Sequence, residues 1–400
     1  MKYVVILCDG MADEPLRELG QKTPMEAAQI PNMDALARKA EVGMVRTVPV
    51  GMNPGSDTAN LSVLGYNPKK YYSGRSPLEA LSIGVDMAPT DVSFRCNLVT
   101  LSEEQARYED RIIIDHSSDE ISSEDAAILV EALKKGLKRE GYTFYPGISY
   151  RHLLIVKQGK VVELTGPHDI LGQVIGGFLP NDPVLREMMM KSYEILVNHP
   201  INVERRKNGI KPANSAWFWG AGTRPALTSF EENHSKRGAM ISAVDLLKGI
   251  ATGAGMYSMD VEGATGGLHT NYEGKAKAAV QALTAEGYDF VYVHIEAPDE
   301  MGHQGNIADK IKAIQYIDGR IIGPVVAGLQ AAGEDFRILV LPDHPTPIRL
   351  RTHTADPVPY LLYDSRKEAA GTPAFDEKNA RSTGIMEERG EQLICHLFEE

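Results

Sequence analysis

Three short runs of branched and aromatic residues, each leading into ionisable side chains, constrain most strongly what this chain can become. Residues 3–8 (YVVILC) lead into Asp9-Gly10, residues 289–295 (DFVYVHI) into Glu-Ala-Pro-Asp, and residues 336–341 (FRILVL) into Pro-Asp-His. Runs of this length without polar alternation read as strands buried on both faces. The helical patterns between them, residues 271–286 and 308–332, supply covering layers, with Gly319 and Pro324 expected to break or bend the second. The fold class is therefore α/β with a mainly parallel sheet. In such sheets ligands collect beyond the carboxyl ends of the strands, so the acids and histidines there are expected to share one crevice.

The middle of the chain has another texture. Residues 94–101, 151–157 and 216–219 read as strands, and a helix opens at Ser122 or Ser123 ahead of Glu124 and Asp125. This predicts an inserted α+β domain over residues 75–229, with the core formed by 1–74 and 230–400. A chain of 400 residues with 43% hydrophobic content is long enough for both. The formal charge of -12 and pI near 5.5 argue against nucleic acid or an anionic membrane as partner. Cys8, Cys96 and Cys395 lie far apart and form no CxxC pair, which fits a reducing cytoplasm rather than a disulfide framework. The run at residues 4–7 is far too short for a membrane span. Oligomeric state leaves no mark in the sequence.

Asp299 and His303 stand four residues apart in DEMGH, a spacing that places both side chains on one helical face. Asp343 and His344 are adjacent at a strand end, and His353 follows nine residues after His344 in a Pro-rich loop. With Asp9 these make three Asp and three His, a mixed set of the kind that binds Mn, Zn or Fe rather than Ca. Any one of them could be a helix cap or a solvated loop residue; six on one edge are too many for one site and indicate two metals. Gly55-Ser56-Asp57-Thr58 precedes an apolar run and reads as a helix start, where a serine lies in a field that favours a phosphoryl group. Ser56 could be an ordinary N-cap, but the neighbouring ligand set makes it a candidate nucleophile.

The ordered set Asp9-Gly10, Gly55-Ser56-Asp57-Thr58, Asp299-x-x-x-His303, Asp343-His344 and His353 resembles the signature of the alkaline phosphatase superfamily. More narrowly it is similar to the cofactor-independent phosphoglycerate mutases of the archaeal type, including stretches such as GAMISAVDLLKGIA and GATGGLHTNYEGKA. The resemblance implies an alkaline-phosphatase-like three-layer core and two divalent metal ions, Mn foremost, with Zn, Mg or Co compatible. It assigns one metal to Asp299, His303 and His353, and the other to Asp9, Ser56, Asp343 and His344. It implies a small phosphorylated hydroxy-acid substrate, a phosphoserine at Ser56, and the inserted domain as substrate-binding lid. Within the lid, Asp115 and His116 resemble the acid/base pair and Arg151 an anion clamp. Lys211 and Asn214, and Lys275 in the core, are further substrate-binding candidates, while Arg205 and Arg206 read as a solvated face. His116 sits in IDHSS rather than in the HSH run of the longer bacterial mutases.

Other readings are weaker. No C/S-x-P-x-R run supports a sulfatase, and no GxxxxGK[ST] supports a P-loop kinase. A relative acting on another hydroxy compound, such as homoserine, or hydrolysing a phosphate ester would share the same core. A catalytically silent protein would have lost ligands, and all seven positions carry competent side chains.

Overall fold

The computed structural model describes residues 1–399. The chain divides into two compact units, Met1–Tyr72 with the chain from Leu227 onward, and Ser73–Ala226. Ser229, expected within the insertion, lies in the first unit ahead of the helix Phe230–His234. The strands are β1 (Lys2–Cys8), β2 (Glu41–Val45), β3 (Val92–Leu101), β4 (Ile113–Asp115), β5 (Tyr142–Tyr145), β6 (Arg151–Val156), β7 (Ser215–Thr223), β8 (Gly238–Ile241), β9 (Tyr257–Met259), β10 (Phe290–Ile295), β11 (Phe336–Leu341), β12 (Val358–Asp364) and β13 (Met386–Glu387).

The first unit is built on an eight-stranded sheet in the order β13-β2-β12-β11-β1-β10-β8-β9. Only the β11–β12 and β12–β2 pairings are antiparallel. Every residue of β10 and β11 is buried, as is β1 after Lys2, which is why these runs show no polar alternation. Helices including Tyr272–Thr284 and Ile307–Ile317 contribute Ala276, Ala279, Leu283, Ala313 and Ile314 to the core that also holds Val4, Ile6, Val291, Val293, Ile338 and Val340. Each fully buried branched side chain contributes about 1.5–3 kcal/mol.

The helix expected over 308–332 is three pieces: Ile307–Ile317, a π-helical turn Asp318–Ile322, and Gly323–Ala331. Pro324 has no N–H to give the upstream carbonyl, which loosens the ladder at that turn. The Asp318 carboxylate accepts hydrogen bonds from the N–H groups of Asn32 (3.2 Å) and Met33 (2.7 Å). It thereby caps the helix Pro31–Ala37, whose own N-cap is Ile30.

The second unit carries an antiparallel sheet in which β3 pairs with β4, β6 and β7, and β5 pairs with β6. The helices Ser123–Gly136 and Pro183–Leu196 close a separate core of Phe94, Leu98, Leu129, Leu133, Met189 and Phe218. Ser122 is the cap of the first, its hydroxyl accepting from Asp125 N at 3.2 Å. Arg205, expected on a solvated face, is instead buried and donates to the backbone carbonyls of Lys211 and Ser118. The three cysteines are free. No helix among the described residues is long and apolar enough to cross a membrane.

A buried ionic network in the first unit ties four segments together. Lys310, fully buried, donates to Asp13 Oδ2 and to Thr346 O, both at 2.8 Å. Asp13 in turn accepts from Ile348 N at 3.1 Å, and Glu377 accepts from Asp13 N at 3.0 Å and from the Thr23 hydroxyl at 2.7 Å. Burial pushes Glu377 up to about 7 and pulls Lys310 below the usual lysine value. Deleting one partner of such a pair leaves a bare buried charge, at a cost of about 3–5 kcal/mol. Lys310→Met should therefore lower the unfolding free energy of the first unit, read by denaturant titration, by that amount, and adding Asp13→Leu should recover a large part. A single variant within about 0.5 kcal/mol of the parent, the range typical of surface substitutions, would contradict this role.

Candidate metal centre

The parallel register brings the three strand ends to one edge: Cys8 lies opposite Ile295, and Leu7 opposite Leu341. The residues that follow, Asp9, the helix Ala297–Gln304, and Asp343-His344, therefore leave the sheet side by side. Asp299 and His303 sit one turn apart on that helix, His303 Nε2 being 3.2 Å from Asp299 Oδ2. His353 arrives from the loop beyond β11, with Nε2 at 3.3 Å from Asp299 Oδ1 and 2.9 Å from His303 Nε2.

The tautomers follow from the hydrogen bonds. A backbone carbonyl only accepts, so His303 Nδ1–H donates to Arg351 O and His353 Nδ1–H donates to Pro54 O, both at 3.0 Å. The Nε2 lone pairs of the neutral rings then face one another beside a carboxylate, an arrangement that requires a cation or a proton between them. Asp299 raises both imidazoles, His303 to about 9.

The second group surrounds His344. Its Nε2 lies 3.1 Å from Ser56 Oγ, 3.4 Å from Asp343 Oδ2 and 3.6 Å from Asp9 Oδ1. Ser56 is the first residue of the helix Ser56–Val63, whose N-cap is Gly55, so its hydroxyl is not the cap. A Cβ at Gly55 would fall 2.6 Å from Asp57 Oδ1, and the missing side chain gives Asp57 room to cap Thr58 N at 2.8 Å. Asp343 accepts from Gly10 N (3.1 Å), from His344 N (2.9 Å) and from the Asn60 amide (3.1 Å).

Two sets of donor atoms thus lie close enough to hold an ion, Asp299 with His344 and His353, and Asp9 with Asp343 and His344. His303 joins the first through its contacts with Asp299 and His353, and Ser56 joins the second through His344. Asp9 Oδ1 is buried with no hydrogen-bond donor, and burial together with the charges of Asp343 and Asp299 holds the Asp9 carboxyl well above the usual range. A bare buried oxygen among carboxylates and imidazole lone pairs fits a divalent cation. One protein donor does reach Asp9: His294 Nε2–H, at 2.9 Å from Oδ2, its Nδ1 accepting from the Ser242 hydroxyl at 3.1 Å. Burial lowers His294 to about 3, so it is neutral at pH 7.

The other expected site residues are placed as follows. Lys275 is buried in the first unit, donates to His294 O at 2.9 Å and is pulled down to about 8 by burial. In the second unit, Asp115 accepts from Lys211 Nζ at 2.7 Å and from Ser117 N and Oγ, which holds its carboxyl well below the usual range. Lys211 also binds Asp119 at 2.7 Å. Asn214 is fully buried, with both amide hydrogens committed to Leu101 O and Glu103. His116 packs edge-on against Tyr150 and His168, and Arg151 is exposed over Tyr150.

Sequence reasoning missed His294, Asn60 and Thr346. A histidine inside an apolar strand was the available signal for the first. Asn60 and Thr346 are polar residues in ordinary positions, and nothing in the sequence sets them apart.

With the ions chelated, the charge on Asp9 is uncompensated. A carboxyl raised on folding withdraws stability as pH climbs from its unfolded value, about 3.9, through its folded one, and His303, raised to about 9, withdraws more above its unfolded value of about 6.5. His294 and His344, lowered by burial, act oppositely only below about 6.5. Between pH 7 and 9 the chelated protein should therefore melt earlier as pH rises. Asp9→Asn should raise its Tm there by about 2–4 °C per kcal/mol of repulsion relieved. Equal melting of the two chelated proteins by calorimetry would refute the crowding of charge.

Residues 37–202 match the family model described as 2,3-bisphosphoglycerate-independent phosphoglycerate mutase. The protein of that name from Methanosarcina barkeri is 48% identical over 98% of both chains. A solved protein from Pyrococcus horikoshii superposes with a TM-score of 0.82 at 31% identity, covering 100% of this chain and 98% of its own. The cofactor-independent phosphoglycerate mutase of Thermoplasma acidophilum gives 0.66 at 28% identity over 99% of each. Identity of this level along nearly the whole length, over a fold with the same course, means that the chain belongs to the 2,3-bisphosphoglycerate-independent phosphoglycerate mutase family.

Proposed function

We propose that the chain interconverts 3- and 2-phosphoglycerate through a phosphoserine at Ser56. The observation that carries this reading is the placement of Ser56 Oγ at a helix start, 3.1 Å from the Nε2 of His344, which groups with Asp9 and Asp343. Asp299, His303 and His353 would hold one divalent cation, and Asp9, Ser56, Asp343 and His344 a second, with manganese the first choice and zinc, magnesium or cobalt compatible. Such ions supply positive charge against the phosphate oxygens and lower the pKa of a hydroxyl ligand.

The residues divide the rest of the work. Ser56 Oγ gives up its proton and forms a bond to phosphorus as the bond to the glycerate 3-oxygen breaks, and that oxygen takes up a proton. The glycerate then presents its 2-hydroxyl, which loses a proton and takes the phosphoryl group back, freeing Ser56. The helix start at Ser56 favours the anionic group. Asn60 fixes the first turn by donating to Ser56 O at 2.8 Å. Ser73–Ala226 would serve as the lid that keeps water from the phosphoserine. Within it, Arg151 would clamp an anionic group of the substrate, and His116, held among Tyr150 and His168, would move the protons. The free cysteines accord with a reducing cytoplasm.

Manganese-loaded protein should interconvert the two phosphoglycerates without added 2,3-bisphosphoglycerate, and should neither release phosphate at a comparable rate nor phosphorylate homoserine from ATP. Absence of mutase turnover would overturn the reading. Ser56→Ala should retain most of its bound metal and lose turnover by at least about 10⁴-fold, the scale of losing a catalytic nucleophile. Asp343→Asn should instead release metal on dialysis. A Ser56→Ala variant with parental turnover would exclude the phosphoserine route.

A further inference from the structure

Thr346 lies two residues beyond His344, fully buried, and its hydroxyl sits between the two ligand groups. Oγ1 donates to Asp299 Oδ1, and His344 Nδ1 stands 3.3 Å from the same oxygen. His344 can offer a lone pair from Nε2 toward Ser56, Asp9 and Asp343 only when its proton is on Nδ1. Thr346 Oγ1 is the acceptor placed for that proton. A hydroxyl has one hydrogen to give, and here it goes to Asp299. The order of donation is thus His344 Nδ1–H to Thr346 Oγ1, then Thr346 O–H to Asp299.

The surroundings hold this hydroxyl in place. Thr346 N donates to Ala12 O at 3.2 Å, and Thr346 O accepts from the buried Lys310 at 2.8 Å. A Cβ at Gly10 would fall 2.6 Å from Thr346 Oγ1 and 2.6 Å from Asp299 Oδ1, and one at Gly302 would fall 2.6 Å from Thr346 O. Gly10 also has a φ of +62°, in the left-handed region that favours glycine. Two glycines thus leave the space in which the threonine joins Asp299 to His344.

We infer that Thr346 is a positioning residue shared by both cation sites: it fixes the tautomer of His344 for one and the carboxylate of Asp299 for the other. This rests on the two-metal reading above. Hydrogen-bond partners of this kind change metal affinity by about 10–100-fold. A residue serving one site alone would weaken only that site; Thr346 touches a ligand of each.

The test titrates Mn(II) into chelator-stripped wild type, Thr346→Val and Thr346→Ser, with free Mn(II) read by electron paramagnetic resonance and folding checked by near-ultraviolet circular dichroism. The wild type and Thr346→Ser should take up two ions with similar affinity, and Thr346→Val, which keeps the branched shape without the hydroxyl, should bind both about 10–100-fold more weakly. Nitrogen-15 NMR of ring-labelled histidines in the stripped wild type should show His344 protonated at Nδ1. Wild-type affinity in Thr346→Val, or Thr346→Ser failing alongside it, overturns the role of the hydroxyl while leaving the metal sites standing. A wild-type His344 protonated at Nε2 overturns it without recourse to any variant. A wild type that takes up no Mn(II) overturns the two-metal reading and this inference together.

Discussion

The carboxyl edge of the first unit's sheet is governed by one electrostatic demand: three buried carboxylates must be neutralised. Asp9, Asp343 and His344 each offer a donor atom within 4.8 Å of the others, and Asp299 is grouped with the same histidine. Like charges about 4–5 Å apart at an effective dielectric near 20 repel by about 3–4 kcal/mol a pair. A domain is stable by only about 5–15 kcal/mol in total. A core built of β1, β10 and β11 for stability alone would not place acids there. The repulsion is tolerable where cations bind, and it makes the edge an affinity device.

What surrounds the acids is built to hold them still. His303 and His353 are fastened through Nδ1 to backbone carbonyls, and Asp343 takes three N–H donors from three different segments. Arg351, whose carbonyl orients His303, adopts a left-handed φ of 56°, a conformation that costs of order 1 kcal/mol or more for a side chain of its size. Behind them the Lys310–Asp13 pair joins the loop after β1 to the loop after β11. One strained residue and one buried ion pair thus lie within a few residues of the two groups.

The parts of this arrangement visible in the sequence are those in which residue type alone forces the outcome. Strands β10 and β11 announce themselves because burial on both faces leaves runs dominated by branched and aromatic residues, and their ends are marked by the first acids to follow. The four-residue spacing of Asp299 and His303 predicts a shared helical face, and the helix Ala297–Gln304 supplies it. The π-helical turn at Asp318 was legible as a weakness near Gly319 and Pro324, but the cap that Asp318 gives a helix some 286 residues earlier has no local sign. Thr346, Asn60 and His294 matter through what they touch across the fold, and pairings of that range have no local signature. The partners of Lys211 (Asp115 and Asp119) and of Asn214 (Leu101 O and Glu103) have no local signature either.

The hydrogen bond from His353 to Pro54 O joins two functions that the chain keeps about 300 residues apart. Pro54 stands two residues before Ser56, so the segment carrying the Ser56 hydroxyl is moored by an imidazole of the opposite group. Rotation of that ring would slacken the approach to Ser56 as well as open a coordination position. On the proposed two-metal reading, an ion held at His353 would therefore also steady the backbone ahead of Ser56, so that the two groups would act as one assembly.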